Sequence, residues 1–320
     1  MKFDIVGTGS IGLLFAVKLL LANYDVQLWS RTEEQAKLLE EQGIVFQSLG
    51  DGSKSLLKPA CKAIGSESAE HDELREAADS RYMVLAVKQH HLNEQLLHEL
   101  DKLARSGRYE AVVAMQNGVG HIAKLGSRLQ LPVLTAVTSE AAKRLDQAII
   151  AHAGQGKTWI GDELGRDRDN KHQKNIEEAL QKAGFTAFMS KNIKEQVYYK
   201  LIGNAVINPL TALFNVSNGE LPQSTTRRRL MEKLFAETKQ VLLIEEPTIA
   251  AYRFEHILQL CSATADNTSS MRADILRGAE TEVAYINGAV SAIAARHKLQ
   301  APLNESLVHM IEALHPDQKE

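Results

Sequence analysis

The chain has 320 residues, 44% hydrophobic and 24% charged, the balance of an ordinary globular protein, and at roughly 100–200 residues per domain the length predicts two domains. A formal net charge of -3 excludes a global basic field for holding nucleic acid or an anionic membrane. The start lacks the basic-then-apolar pattern of a secretory leader, no stretch approaches the ~18 apolar residues of a membrane span, and Cys61 and Cys261 read as incidental reduced thiols, so a cytoplasmic protein is expected.

The first half alternates between two periods. Phe3 to Val6 is a short apolar run and predicts a strand; Ile11 to Leu21 follows with helical spacing. Val26 to Trp29 predicts a second strand and Thr32 to Gln42 a second helix, with Thr32 as its N-cap. Ile44 to Leu49 and Ser55 to Pro59 flank Gly50-Asp51-Gly52, a turn signal for a small hairpin. Tyr82 to Val87 and Ala111 to Met115 predict two buried strands with a helix from about His91 to Arg105 between them. Such alternation implies a parallel sheet with right-handed crossovers. Val133 to Ser139, Ala148 to Ala153 and Thr158 to Ile160 then read as strands of an antiparallel extension of that sheet. A charged stretch, Asp167 to Lys174, opens a helix ending near Gly184, and Phe185 to Met189 reads as a last strand. From Ile193 the pattern is almost purely helical, over Glu195 to Asn215, Thr225 to Ile244, Tyr252 to Asp266, Val283 to His297 and Asn304 to Leu314. The tail from His315 is expected to fray. The predicted organisation is an α/β, Rossmann-type dinucleotide-binding domain over 1–190 and an all-helical substrate-binding and catalytic domain over 191–320.

Gly7-Thr8-Gly9-Ser10-Ile11-Gly12 follows the first strand and opens the first helix. This is the G-x-G-x-x-G pattern in the context it requires. Gly7 permits a tight turn, Gly9 lets backbone approach a pyrophosphate, and Gly12 allows close helix–strand packing. The helix N-terminus offers unpaired N–H groups and the positive end of its dipole to phosphate. The second strand ends Leu28-Trp29-Ser30-Arg31-Thr32 without the carboxylate that would take a ribose 2′-hydroxyl. Arg31 is instead available to fork onto a 2′-phosphate, so NADPH is the expected cofactor. Glu33 and Glu34 suit the next helix's first turn. Lys88 and Asn117 follow two further strands, at the carboxyl ends where open α/β sheets bind ligands. His90-His91 resembles a metal pair only superficially; adjacent helix positions diverge, and a solvated helix start is expected. No metal site is expected.

Lys200, Asn204 and Asn208 recur at i, i+4, i+8 in an otherwise apolar segment. On an α-helix they share one face over roughly 12 Å. A solvated face would explain them; a ligand-facing stripe explains them better, because asparagine is a poor helix former and such groups on a buried helix need polar partners. Pro209 in the same run suggests a kink. A lysine beside a ketone oxygen can polarise it and donate the proton that reduction requires, and desolvation lowers its pKa toward neutrality while a nearby carboxylate opposes that fall.

Taken together, the glycine loop, Gln116-Asn117-Gly118, the Lys200-x-x-x-Asn204-x-x-x-Asn208-Pro209-Leu210-Thr211-Ala212 run, Asn267-Thr268-Ser269-Ser270-Met271 and Thr281-Glu282-x-x-x-Ile286-Asn287-Gly288 resemble the ketopantoate reductase (2-dehydropantoate 2-reductase) family. The resemblance spans Gly7 to Gly288 in the family's order. It implies NADPH-dependent reduction of ketopantoate to pantoate, toward pantothenate and coenzyme A, in a cleft between the two domains. It implies Lys200 as general acid, positioned by Glu282, and Asn117, Asn204, Asn208, Asn218 and Ser270 as substrate ligands, with Asn267 a further contact. It implies that Lys88, Asn117, Ala142 and Glu282 line the cofactor site with residues 7–12.

Other readings stay open. Ser270 can be a helix cap and Glu282 a surface acid. The substrate can be another branched 2-oxo acid, since the apolar part of the pocket is not legible. A 3-hydroxy acid or glycerol-phosphate dehydrogenase shares the two-domain plan, but a phosphorylated substrate wants an Arg/Lys cluster rather than one lysine among amides. A non-catalytic NADPH sensor would need no intact Lys200 and Glu282. Arg227-Arg228-Arg229 in an acidic chain reads as solvated or at a subunit contact, and apolar faces of the helical half allow a homodimer.

Overall fold

The computed structural model describes residues 1–66, 80–106 and 109–314; the tail from His315, expected to fray, lies outside them. The chain forms two compact units, one of Met1–Gln116 and Gly120–Ile193, the other of Asn117–Val119 and the chain from Lys194 onward.

The first unit is built on an eight-stranded sheet. Its centre is β1 (Lys2–Val6), parallel to β2 (Asp25–Ser30) on one side and β6 (Arg81–Leu85) on the other. Beyond β2 lies β5 (Ala60–Ala63); beyond β6 lie β7 (Ala111–Ala114) and β8 (Val133–Thr138), all parallel. Antiparallel β11 (Lys157–Gly161) and then β12 (Thr186–Met189), parallel to β11, complete it. Alternate residues supply two cores: Phe3, Ile5, Tyr82, Val84, Ala111 and Val113 face one, Val6, Met83, Leu85, Val112 and Ala114 the other. That is the two-residue period of a strand covered on both faces. Helices α1 (Ser10–Leu21) and α5 (Lys171–Lys182) contribute to the first core, α3 (Glu94–Arg105) and α4 (His121–Arg128) to the second. α2 (Glu33–Gln42) starts where the sequence predicts: Thr32 Oγ1 accepts from Gln35 N at 3.3 Å.

Asp4 is the buried charge of β1, 1% exposed. It is tolerated because both oxygens are used: Arg81 Nε (2.7 Å) and Nη2 (2.9 Å), Trp29 Nε1 (2.7 Å) and Tyr109 Oη (2.7 Å) all donate to it.

The expected antiparallel extension is realised only by β11. The residues from Ala148 instead enter a second sheet, ordered β4 (Lys54–Leu57), β3 (Ile44–Gln47), β10 (Ile149–Gly154), β9 (Ala141–Asp146). β3 and β4 pair as the predicted hairpin. β10 adds parallel to β3, and buried Ile44, Phe46 and Ile150 then join the core that contains α1. β10 thereby pairs the edge of β3 that the hairpin with β4 would leave open. β5, β9 and α4 carried too little pattern to be anticipated.

The second unit is helical: α6 (Ile193–Phe214), α7 (Thr225–Leu242), α8 (Phe254–Ala263), α9 (Ser270–Leu276), α10 (Val283–Arg296) and α11 (Pro302–Glu312). Its core joins Leu201, Ile202, Val206 and Leu210 of α6 to Leu234 and Val241 of α7, Ile257 of α8, Met271 of α9, Ile286 and Val290 of α10 and Ile311 of α11. α6 continues as helix through Pro209. α9, seven residues long, is too short to show a helical period. Of the three consecutive arginines, Arg227 donates to the carbonyls of Leu221 (3.1 Å) and Glu220 (2.8 Å), and Arg228 pairs with Glu232 at 3.5 Å.

Both cysteines are free thiols, buried, and burial pushes Cys61 up to about 12 and Cys261 up to about 11, which makes them unreactive. Among the described residues no helix is long and apolar enough to cross a membrane.

Candidate active site

In the first unit, chain order reverses at β1, whose neighbours are β2 and β6. Open α/β sheets bind ligands at such a switch point, outside the carboxyl ends of the strands. The loop Gly7-Thr8-Gly9 leaves β1 there. Gly7 has φ 111° and donates its N–H to Trp29 O at 2.9 Å, a backbone conformation that side chains resist. A Cβ on Gly12 would lie 2.0 Å from Gly7 O, so the helix is packed down on its own loop. Gly9 differs: a Cβ there would meet nothing within 4 Å. Gly9 is also the N-cap of α1 and no side chain caps that end. The first-turn donors therefore face open space, and Thr8, Ser10 and Ile11, all half-buried, border it. This cradle fits a pyrophosphate.

Arg31, just beyond β2, is exposed, and its Nη1 lies 3.5 Å from His91 Nε2. Lys88 is half-buried and precedes the 3-10 turn Gln89–His91. His90 and His91 depart from expectation. They are half-buried, with ring centroids 4.1 Å apart and Nε2 atoms 3.1 Å apart. Adjacent positions diverge by about 120° on a 3-10 turn as well, so it is the side-chain conformations, not the backbone, that bring the two rings together. Gln89 Nε2 meets His121 Nδ1 at 2.9 Å, and burial pushes His121 down to about 4, so it is neutral near pH 7. Ala142 sits in β9, half-buried against the core that contains α1.

In the second unit, Asn117, Lys200 and Glu282 come together. Glu282 is 7% exposed and immediately precedes α10; its Oε2 accepts from Asn117 Nδ2 at 3.0 Å. It is therefore not a surface acid. Lys200 is half-buried but densely enclosed, and desolvation pushes it down to about 8, against the opposing pull of the Glu282 carboxylate. An ammonium with that pKa is mostly charged at pH 7 yet gives up its proton easily.

Asn204 and Asn208 lie one and two turns further along α6, half-buried and 6% exposed. Among the described residues their side-chain amides have no hydrogen-bond partner, whereas most buried amides do. Asn218 Nδ2 donates to Thr264 Oγ1 at 3.0 Å, and its buried Oδ1 has no partner among the described residues. Asn218 N also donates to Asn267 O at 3.1 Å, tying two of the anticipated contacts to each other. Ser270 is exposed at the start of α9 and does not cap it. Ser269 does, accepting from Arg272 N at 3.2 Å. Buried Thr211 of α6 donates to the same Ser269 hydroxyl at 2.7 Å, which fixes the start of α9 on α6. Neither Thr211 nor Ser269 was assigned a part from sequence, although both fall inside the quoted motifs.

Two family models match the chain. The one described as Ketopantoate reductase PanE/ApbA covers residues 3–164, and Ketopantoate reductase PanE/ApbA C terminal covers residues 192–315. The 2-dehydropantoate 2-reductase of Bacillus subtilis (strain 168) is 30% identical over 317 residues, 98% of this chain and 97% of that one. The protein of the same name from Halobacterium salinarum is 27% identical over 319 residues, 99% and 100% of the two chains. Among solved structures, the probable 2-dehydropantoate 2-reductase panE of Bacillus subtilis superposes with a TM-score of 0.77 at 29% identity, covering 98% of this chain and all (100%) of that one. A D-mandelate dehydrogenase bound to NADH and anilino(oxo)acetate shares the fold with a TM-score of 0.84 at 21% identity, covering 98% of each.

Proposed function

The chain belongs to the ketopantoate reductase family of oxidoreductases acting on CH–OH donors, and from that premise we propose that it reduces 2-dehydropantoate to pantoate with NADPH, Lys200 acting as general acid. The observation that carries this reading is the enclosed Lys200, held near a pKa of about 8 with the Glu282 carboxylate acting on it, on a helix whose next two polar side chains have no protein partner among the described residues. Relatives named 2-dehydropantoate 2-reductase, matched over 97% and 100% of their lengths, support the substrate.

When bound, the nicotinamide cofactor supplies the hydride for the ketone carbon. The chain's residues do the rest. Lys200 Nζ holds a proton for the ketone oxygen and, once it is neutral, recovers one from solvent. Glu282 keeps that proton on Nζ until it is needed, and Asn117 holds Glu282. Asn204, Asn208, Asn218 and Ser270 offer neutral donors to the substrate carboxylate and hydroxyl, so the carbonyl is oriented without further charge. The cradle of residues 7–12 receives the pyrophosphate, Lys88 and Ala142 border the cofactor, and Arg31 takes the 2′-phosphate that separates NADPH from NADH.

The test is NADPH oxidation by purified protein with 2-dehydropantoate, with 2-oxo-isovalerate and NADH in parallel. The reading expects fast turnover with 2-dehydropantoate and NADPH, lost in Lys200→Ala. Turnover confined to another 2-oxo acid would move the chain to a different substrate and leave the lysine chemistry standing. NADPH binding without turnover of any 2-oxo acid would favour a sensor.

A further inference from the structure

Pro209 lies inside α6 and has no N–H. The carbonyl four residues earlier, Ala205 O, therefore lacks its helical donor. A buried carbonyl left so costs as much as a lost hydrogen bond. Asn287 of α10, 0% exposed, fills the gap: its Nδ2 donates to Ala205 O at 3.0 Å. The same Nδ2 donates to Asn304 Oδ1 at 3.0 Å. Turned over, the amide would set its oxygen against two acceptors, so its orientation is fixed by the network.

Asn304 is itself locked. It is 0% exposed, and its Nδ2 donates to Glu237 Oε1 at 2.9 Å and Thr238 Oγ1 at 3.0 Å, both on α7. Glu237 also accepts from Leu303 N (3.0 Å) and Asn304 N (2.8 Å), capping α11 from a neighbouring helix. Asn287 is thus held on one side by Asn304 of α11, itself fixed by α7, and reaches α6 on the other.

The spacing gives this contact a consequence. Ala205 is five residues after Lys200, and Asn287 is five residues after Glu282. The tie and the charge pair therefore lie the same distance apart on both segments, roughly 7.5 Å at 1.5 Å per residue. Sliding α10 by one residue on α6 would carry Glu282 about 1.5 Å along Lys200.

We propose that Asn287 is a positioning residue: by taking the carbonyl that Pro209 strips of its donor, it sets the register of α10 on α6 and so stands Glu282 at Lys200. This rests on the reading of Lys200 as proton donor. The observations that carry it are the released carbonyl, the locked amide and the matched five-residue spacing.

The test separates register from stability. Asn287→Leu removes the tie and leaves Ala205 O unpaired. Adding Pro209→Ala returns an N–H to that carbonyl within α6 but does not restore the tie. Melting temperature is measured for both variants and for Pro209→Ala alone. The Lys200 ammonium is titrated in the ligand-free proteins by NMR with 13C-labelled lysine, assigned through Lys200→Ala. The double variant is expected to regain most of the melting temperature that Asn287→Leu loses. Its Lys200 midpoint should nevertheless stay roughly half a unit or more below that of Pro209→Ala, since the opposing carboxylate is no longer held. Its kcat/KM at pH 8 should fall about twofold or more, with little change at pH 6. A double variant with both melting temperature and Lys200 midpoint restored would overturn the proposal, leaving Asn287 a merely structural residue. One no more stable than Asn287→Leu alone would overturn the pairing with the released carbonyl. Turnover surviving in Lys200→Ala would instead sink the proton-donor reading, and the NMR midpoints would still report on the tie.

Discussion

Replacing Glu282 by Gln keeps the shape of the side chain and an acceptor for Asn117, and removes one charge. Lys200 stands near a pKa of about 8 because desolvation lowers it and the Glu282 carboxylate resists. Without the carboxylate, desolvation acts alone and the pKa falls further. An ion pair at contact is worth about 4 kcal/mol at an effective dielectric constant of about 20, which bounds the fall at about three units. A fall of roughly one unit is enough to see. With the midpoint at about 8, about half of Lys200 is protonated at pH 8 and about nine tenths at pH 7. With the midpoint one unit lower, those fractions become about a tenth and about a half. Reduction needs the protonated form, so kcat/KM should drop about fivefold at pH 8, about twofold at pH 7 and hardly at all at pH 6. The assay is the pH profile of NADPH oxidation, wild type against Glu282→Gln, and the alkaline limb should move to lower pH. An unmoved limb, or a loss equal at every pH, would refute the electrostatic part assigned to Glu282.

The glycine loop offers a paired contrast: Gly9→Ala, with nothing within 4 Å of its Cβ, should melt like wild type but bind NADPH about tenfold or more weakly by calorimetry, whereas Gly12→Ala, with Gly7 O at 2.0 Å, should melt lower. Arg31→Ala should weaken NADPH binding roughly tenfold or more and leave the NADH dissociation constant unchanged, since a charge-assisted contact of about 1.5–3 kcal/mol is lost only to the 2′-phosphate; equal losses for both would place Arg31 elsewhere on the cofactor. His121, pushed down to about 4 when folded and near 6.5 when unfolded, binds more protons in the unfolded chain between those values. Stability should therefore fall as pH drops from 6.5 toward 4, and the melting temperature of His121→Gln should fall less over that window.

The long, strongly periodic features of this fold were legible. The strand–turn–helix at Gly7, the Thr32 cap and the Lys200 stripe each declare themselves within a dozen residues. What escaped was set by partners distant in sequence. The residues from Ala148 read as a strand, but the edge they pair with, β3, lies far earlier in the chain and outside the main sheet. His90 and His91, adjacent in sequence, diverge on either kind of helix, and only their side-chain conformations, which no periodicity encodes, bring the rings together. Ser269 and Ser270 are both capping chemistry in sequence; the hydroxyl of Thr211, 58 positions away, goes with the choice of Ser269. Pro209 announced a missing donor, and the residue that answers it, Asn287, is visible only once α10 lies on α6.

The most direct test of the account is a single-turnover pair: wild type and Lys200→Ala, each preloaded with NADPH and mixed with 2-dehydropantoate, followed at the nicotinamide absorbance band. The account predicts rapid oxidation in the wild type and a loss of about a hundredfold or more in Lys200→Ala, the scale of a general acid removed, with NADPH binding intact. Comparable oxidation rates in the two proteins would contradict it.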